Sequence, residues 1–599
     1  MKPRRSRFIV LLCLGAASLS LAQSIYWEDR DGNSGTFGPG ATWNDLQTAM
    51  TNATRTAGSP AQRGLVMIEE GTIARTASSQ TSLRLTSAAA HSMVTVSGGW
   101  EWNGGAKPVK QVGRTTLDAN SGGVDSVVDG ITYNGLKDAN HFTIHNATNV
   151  ILDAMVLVNG RPEMNWPSGR TSEAWGAAIR VVKAHHCTLT NLVVASNDIA
   201  SYEGAAEYSN GGSIFARADL YENSQHLYGF RMTDCDVHHN GENDSYTSGL
   251  TLMQVGADNA PAIVERCTFR GNRGNNGTVL NVTASTDSSG VHNRVLLANC
   301  RVWNNRGAET LHTETSHGPL WNAGGGGGNG GFENNGVTPN QRVTLFGSLV
   351  AGNYTPAAAW AQYPILNYSR GLTHGEGFAV VNSTIVSNLN TTVADTSPLK
   401  WGELFSDDRG GSGDNLWFIN TIGARLRGVR LEEDARSDMQ ASTWGLSTTN
   451  FRVHASAGVI DVWTNIVDAL TSFDSDFSYR FNNRNDNTGV LEPLVAGSNR
   501  QGDPGFEMED SDPYRLAPAS ASVNQGVTRS DPSYVYVDVN FDGAYTVGWD
   551  IIVKGAPPGG GQDLVYVTDL LGNPRVKGVR IDRGAYESMG MLPTVIIIR

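Results

Sequence analysis

A short pattern, apolar-x-x-small-x-apolar-x-x-Asn, recurs through the middle of the chain and limits what it can fold into. It runs as Leu189, Leu192, Val194, Asn197, then Met232, Cys235, Val237, Asn240, then Val264, Cys267, Phe269, Asn272, then Leu297, Cys300, Val302, Asn305. Later copies are Leu345, Ser348, Val350, Asn353 and Val380, Ser383, Ile385, Asn388, and degenerate ones centre on Met155 and Thr421. The centres 155, 192, 235, 267, 300, 348, 383 and 421 are 32 to 48 residues apart. Such a variable period means one stacked unit per repeat, with insertions confined to loops.

Within each copy the central residue and the one two places on are apolar or small, while those one and three places on are mostly polar. That alternation is a strand with one face buried. The Asn five places on sits where the chain must turn, and Asn tolerates left-handed backbone better than most residues. Short strands and turns, one set per repeat, predict an all-β right-handed parallel β-helix over residues 61–450. A helical-repeat solenoid would need runs of 3.6-residue periodicity, and none is visible. With 69 Gly, 21 Pro and only 17% charged residues, coiled coils and helical bundles are excluded. Cys235, Cys267 and Cys300 fall in one inward column and read as an internal ladder of small hydrophobes, with Cys187 in another column.

Residues 1–22 read as a secretory signal. Lys2, Arg4, Arg5 and Arg7 precede the apolar run Phe8 to Leu14, and Ser20-Leu21-Ala22 supplies small residues for cleavage before Gln23. The run is shorter than a membrane span needs. Without those four basic residues, 41 basic face 58 acidic side chains, a formal charge of −17. A chain so charged repels phosphate backbones, which argues against a nucleic-acid partner. The expected localisation is secreted, extracellular or cell-surface, without a transmembrane segment in the mature chain.

A solenoid must cover its open strand edges. Thr42-Trp43-Asn44-Asp45-Leu46-Gln47-Thr48-Ala49-Met50 reads as a capping cluster opening a short amphipathic helix, so residues 23–60 are expected to form an N-terminal cap. Leu65-Val66-Met67-Ile68 is the expected first coil strand. From about Phe451 the repeat disappears, and residues 451–599 are expected to form a C-terminal cap region.

The N-terminal pattern Ile25-Tyr26-Trp27, Thr42-Trp43, Ile68-x-x-Gly71-Thr72, Gly98-Gly99 and Thr116-Leu117-Asp118 resembles the start of bacterial β-helix proteins of the choice-of-anchor Q group. Those proteins have repeats similar to polymorphic outer-membrane proteins. Asp569-Leu570-Leu571-Gly572-Asn573-Pro574-Arg575-Val576 followed by Ile581-Asp582-Arg583-Gly584-Ala585-Tyr586-Glu587 looks like that group's terminal motif. The resemblance implies a secreted or surface-displayed parallel β-helix and transfers no catalytic residue. Ser588 to Arg599 is too short for a membrane span.

Three places in the sequence could carry chemistry. On the coils centred at 235, 267 and 300, the outward position three places on holds His238, Arg270 and Trp303. Asp234, Asp236, Arg266, Arg273, Arg301 and Arg306 lie nearby. Arg binds carboxylates through two parallel hydrogen bonds and Trp stacks on sugar faces, so Asp236, His238, Arg270, Arg301, Trp303 and Arg306 form a candidate surface for an extracellular polysaccharide or cell-envelope glycan. A solvated sheet face with cross-strand ion pairs would use the same residues. Second, the loop carrying Glu309, His312, Glu314 and His317 beside Gly324 to Gly328 offers a base or a metal ligand, although its spacing is not that of a zinc-protease helix. Glu403, Asp407, Asp408 and Asp414 lie in a further loop whose geometry the sequence does not set. Third, Asp538-x-Asn540-x-Asp542-Gly543 places oxygen ligands as in a calcium loop, with Trp549 at the usual acidic position and Asp550 one place late. A Ca2+ site of Asp538, Asn540, Asp542 and Asp550 competes with a plain turn.

Two functions follow. One is a non-catalytic secreted protein for adhesion, glycan contact or envelope structure. The alternative is a lyase or hydrolase of an acidic polysaccharide using His238, Arg270, Arg301 and Trp303 with His312 and His317, a neutral His or a Lys/Arg abstracting a proton beside a uronate neutralised by Arg.

Overall fold

The computed structural model describes residues 23–588 apart from segments between strands, the longest being 161–175, 198–211, 308–320, 325–339, 391–402, 446–458 and 461–477. The described chain winds through three sheets of 14, 12 and 10 strands, parallel from coil to coil. Each coil lays one strand in the 10-stranded third sheet, one in the 14-stranded first and one in the 12-stranded second. Phe142–His145, Ile151–Asp153 and Met155–Val158 make one coil, and Ile214–Arg217, Arg231–Thr233 and Asp236–His238 another. Successive coils pair parallel and in register, as in Val193↔Asp236 and Asp236↔Thr268, with a shift between Met67 and Glu69 where Gly64–Glu69 meets Val94–Glu101. This is the expected parallel β-helix.

The alternation decides what points inward. Leu189, Met232, Val264 and Leu297 from the first sheet meet Leu157, Val194, Val237, Phe269 and Val302 from the second in one continuous buried core. Cys235, Cys267 and Cys300 line the same interior as free thiols. Burial raises the Cys267 thiol and pushes those of Cys187 and Cys300 up to about 12, so all three stay protonated small hydrophobes. The column continues as Ser348, Ser383 and Thr421, whose buried hydroxyls donate back to Phe346, Val381 and Ile419 carbonyls at 2.8, 2.8 and 3.0 Å.

The turns differ from the sequence expectation in one respect. Between first and second sheets a single left-handed residue makes the corner, and Ala154, Asn191, Asp234, Arg266, Asn299, Gly347, Asn382 and Asn420 have φ between 48° and 58°. After the second sheet the left-handed residue is again single: Asn159, Ser196, His239, Gly271, Asn304 or Gly352. The repeated Asn is therefore not the left-handed residue but the one after it. Its side chain turns inward and builds a ladder. The Asn240 Oδ1 accepts from the Asn197 N–H at 2.9 Å while its Nδ2 donates to the Val194 carbonyl at 2.9 Å, and Asn272, Asn305 and Asn353 repeat the arrangement. The amide satisfies backbone groups that the turn takes out of the sheet.

The N-terminal edge is closed twice. Ile25–Glu28 and Ser34–Phe37 form a hairpin pairing antiparallel with the first coil strand, Gly64–Glu69. The helix Trp43–Ala53 starts with the capping box of Thr42 and Asp45 and buries Trp43, Leu46, Ala49, Met50 and Ala53 on the core. Its Gln47 amide accepts from the Arg84 N–H at 2.6 Å and donates to the Arg84 carbonyl at 3.0 Å. One side chain thus completes the edge strand of the third sheet.

The C-terminal cover is lateral. From Leu296 onward on the first sheet and from Leu349 onward on the second, outward positions are mostly apolar, and described residues between 505 and 588 pack on them. Leu296, Ala298, Phe346, Ala379, Val381 and Ile419 pack with Val537, Val539, Ile551, Val553, Tyr566 and Ile581. Leu349, Ala351 and Val386 pack with Leu570, Ala585 and Tyr586. The motif of 569–587 holds this cover in place. Asp569 accepts from the Leu571 and Asn573 N–H groups at 2.9 and 2.6 Å and from the Glu587 N–H at 2.8 Å. The fully buried Arg575 lies 5.3 Å over the Phe346 ring and donates to the Gly584 carbonyl at 3.1 Å. Ala585 N–H donates to the Thr384 hydroxyl at 3.0 Å.

Candidate glycan-contact site

The three aligned strands Asp236–His238, Thr268–Arg270 and Arg301–Trp303 form the floor of the site on the outer face of the second sheet. Register places His238, Arg270 and Trp303 side by side, and Asp236, Thr268 and Arg301 in the adjacent column. Arg273 pairs in register with Arg306 just beyond the turn. The next strand, Leu349–Ala351, carries the cover, so the strip ends against the C-terminal region.

Asp236 and Arg270 meet as a fork, Nε to Oδ1 at 3.1 Å and Nη2 to Oδ2 at 2.8 Å. His238 Nε2 lies 4.0 Å from the same Oδ2. Its Nδ1 lies 2.9 Å from Nδ1 of His239, so one ring donates and the other accepts. Partial burial lowers the His238 pKa, with Arg270 and His239 acting the same way and Asp236 opposing. The imidazole is therefore neutral at pH 7.

At the neighbouring corner Arg266 forks onto Asp234 with both bonds at 2.8 Å and also contacts Glu265, which accepts from Arg231 at 2.8 Å. Each carboxylate described in this region thus has a guanidinium, and among the described residues the arginines at 231, 266, 270, 273, 301 and 306 outnumber Asp234, Asp236 and Glu265 two to one. Glu265, Arg231 and His239 were not read from sequence. Extending the alternation back across the corner would have found the first two. Tyr566 of the cover lies close enough for Glu265 and Arg231 to act on its phenol, which burial raises.

His312 and His317 lie outside the described residues, as do Glu309, Glu314, Asp408 and Asp414. Glu403 and Asp407 bound one strand of the third sheet. Of the calcium loop, Asn540 and Asp542 are outside the described residues. Asp538 pairs with Arg529 at 2.6 Å, and Asp550 accepts from the Val539 and Thr546 N–H groups at 2.8 and 2.7 Å. Asp550 thereby bridges the backbone at Val539 and Thr546. Among the described residues, no group of three or more His, Cys, Asp or Glu is placed to hold a metal ion, and no helix is long and apolar enough to cross a membrane.

No family model matches the chain, and no curated protein matches it in sequence. Among solved structures it is similar to pectate lyase Pel9A, with 13% identity, a TM-score of 0.31, and coverage of 85% of this chain and 93% of that one. It is also similar to a family 28 exopolygalacturonase of Yersinia enterocolitica, with 10% identity, a TM-score of 0.23, and coverage of 73% and 81%. Neither carries a residue assignment across. The fold rests on the registers described above.

Proposed function

We propose that the protein is a secreted or surface-displayed glycan-contact protein whose working surface is the strip from Asp236 to Arg306. The observation that carries this reading is the column His238, Arg270, Trp303, held in register on the sheet beside Arg301 and Arg306 of an otherwise acidic chain. An extended acidic polysaccharide suits it: guanidinium groups take carboxylates and the indole takes a sugar face. The strip's carboxylates are already forked by arginines, which favours binding over acid–base turnover. The leader-like residues 1–22 and the resemblance of the 569–587 motif to the choice-of-anchor Q group support export.

The lyase reading keeps one specific observation in its favour. His238 is a neutral base beside Arg270, the pairing needed to abstract a proton next to a neutralised uronate. One experiment separates the two. The full chain is titrated with a polyuronate and a neutral glucan, while unsaturated products and reducing ends are followed. Polyuronate binding without product, weakened about tenfold in Arg301→Ala or Trp303→Ala, is the expected result. Product formation that vanishes in the His238→Ala, Arg270→Ala double variant would overturn the non-catalytic reading, and unchanged affinity in both single variants would remove the strip from the binding surface.

A further inference from the structure

The contact between His238 and His239 puts a titratable device at the centre of the strip. Among the described residues, the charged or titratable groups acting on the His238 ring are Asp236 on its own strand, Arg270 on the following coil and His239 in the turn. The preceding coil presents Val193 and Ala195, which carry no charge. Both Arg270 Nη2, at 2.8 Å, and His238 Nε2, at 4.0 Å, address the same oxygen, Asp236 Oδ2. With His238 neutral, Asp236 and Arg270 cancel and the fork is closed.

We propose that the strip is an acid-activated carboxylate site, in which a proton taken up by His238 draws Asp236 away from Arg270 and opens that guanidinium to a carboxylate of the bound glycan. The inference rests on the glycan-contact reading and adds its regulation.

The proton count is simple. Two neutral imidazoles hold two N–H protons, one of them in the 2.9 Å contact. A third proton makes His238 donate from both nitrogens, through Nδ1 to the His239 lone pair and through Nε2 toward Asp236. A fourth would set two N–H groups against each other across that contact, so the intact pair takes up one proton. The Asp236, Arg270 and His238 group then passes from neutral to a single positive charge. Because the His238 pKa lies below its ordinary value, the change falls below about pH 6.5. The carboxylates of a polyuronate remain ionised over most of that interval.

The test uses the full chain with polygalacturonate and with a neutral glucan of similar length, at about pH 7.5 and about pH 5. Polygalacturonate should bind roughly fivefold more tightly at the lower pH, the effect of one added charge at a partly hydrated contact, and the glucan should show no change. In His238→Gln the ratio between the two pH values should fall to about one. In Asp236→Asn, which removes the contested negative charge, affinity at pH 7.5 should rise toward the acid value of the unsubstituted protein. Equal polygalacturonate affinity at both pH values, or an acid gain that persists in His238→Gln, would overturn the switch while leaving the glycan-contact reading standing. If polygalacturonate binds at neither pH, that reading falls, and the switch is then decided by NMR of histidine-labelled and arginine-labelled protein. An Arg270 Nε–H signal that moves with the His238 titration supports the switch, and one that does not move sinks it.

Discussion

His141 shows how a single side chain can be bound into the coil without belonging to the repeat. Its ring is fully buried near Trp43 of the cap helix, and Nε2 lies 3.0 and 2.9 Å from the carbonyl oxygens of Leu117 and Val158. Burial pushes its pKa down to about 4, and the two carbonyls only partly offset that. Its folded pKa lies below the unfolded value, so between about pH 6.5 and pH 4 the unfolded chain binds more protons. The stabilisation is complete above that window and is lost as pH falls through it, amounting to about 3 kcal/mol. Urea midpoints measured from pH 7 to pH 5 should fall with a slope that becomes shallower in His141→Gln. Parallel slopes in the two proteins would place the acid sensitivity elsewhere.

At the scale of the element, the turn after the second sheet depends on the asparagine ladder more than on its strands, some of which are only three residues long. Truncating Asn272 leaves the Asn240 N–H and the Val237 carbonyl buried without that partner. Asn272→Ala should cost about 3 kcal/mol, the penalty for orphaned buried polar groups, read as a lower denaturation midpoint with unchanged m-value. A loss below about 0.5 kcal/mol would show that neighbouring coils rearrange to satisfy those groups. The ladder was half legible. Its positions stood out in the sequence, but the assignment of Asn to the left-handed residue was off by one. Spacing marks a turn without saying which of two adjacent residues takes the positive φ.

For the whole molecule, the decisive event is the return of the chain onto its own side. Gly584 makes one close approach: its φ is +95°, and a Cβ there would meet Ile422 Cδ1 and Thr384 Oγ1 at 2.7 Å. Its N–H donates to the Asn420 carbonyl at 2.6 Å. Gly584→Ala should therefore loosen the cover and expose Phe346, Val381, Leu349 and Val386. Protease should then release a C-terminal fragment at doses the unsubstituted protein resists, with increased self-association in light scattering. Resistance equal to that of the unsubstituted protein would mean that the apolar contacts hold the cover without this close approach.

The sequence by itself determined the coil. Residues 32 to 48 apart become neighbours at fixed register, so a column in space is a period in the sequence, and the inward cysteines, the core alternation and the strip of His238, Arg270 and Trp303 could all be read from it. The cap helix was equally legible, because capping and amphipathic spacing are local. Only the tertiary structure decided what the outward columns do. The apolar residues Leu349, Ala351 and Val386 already broke the polar pattern in the sequence, but their cover comes from residues such as Leu570 and Tyr586 roughly 200 positions away and outside any repeat. The Asn299 side chain reaches the Thr568 carbonyl across 269 residues. No periodicity encodes such a contact, because it arises from matching two finished surfaces. The closed Asp236–Arg270 fork and the His238–His239 contact likewise depend on side-chain rotamers, which register constrains but does not choose.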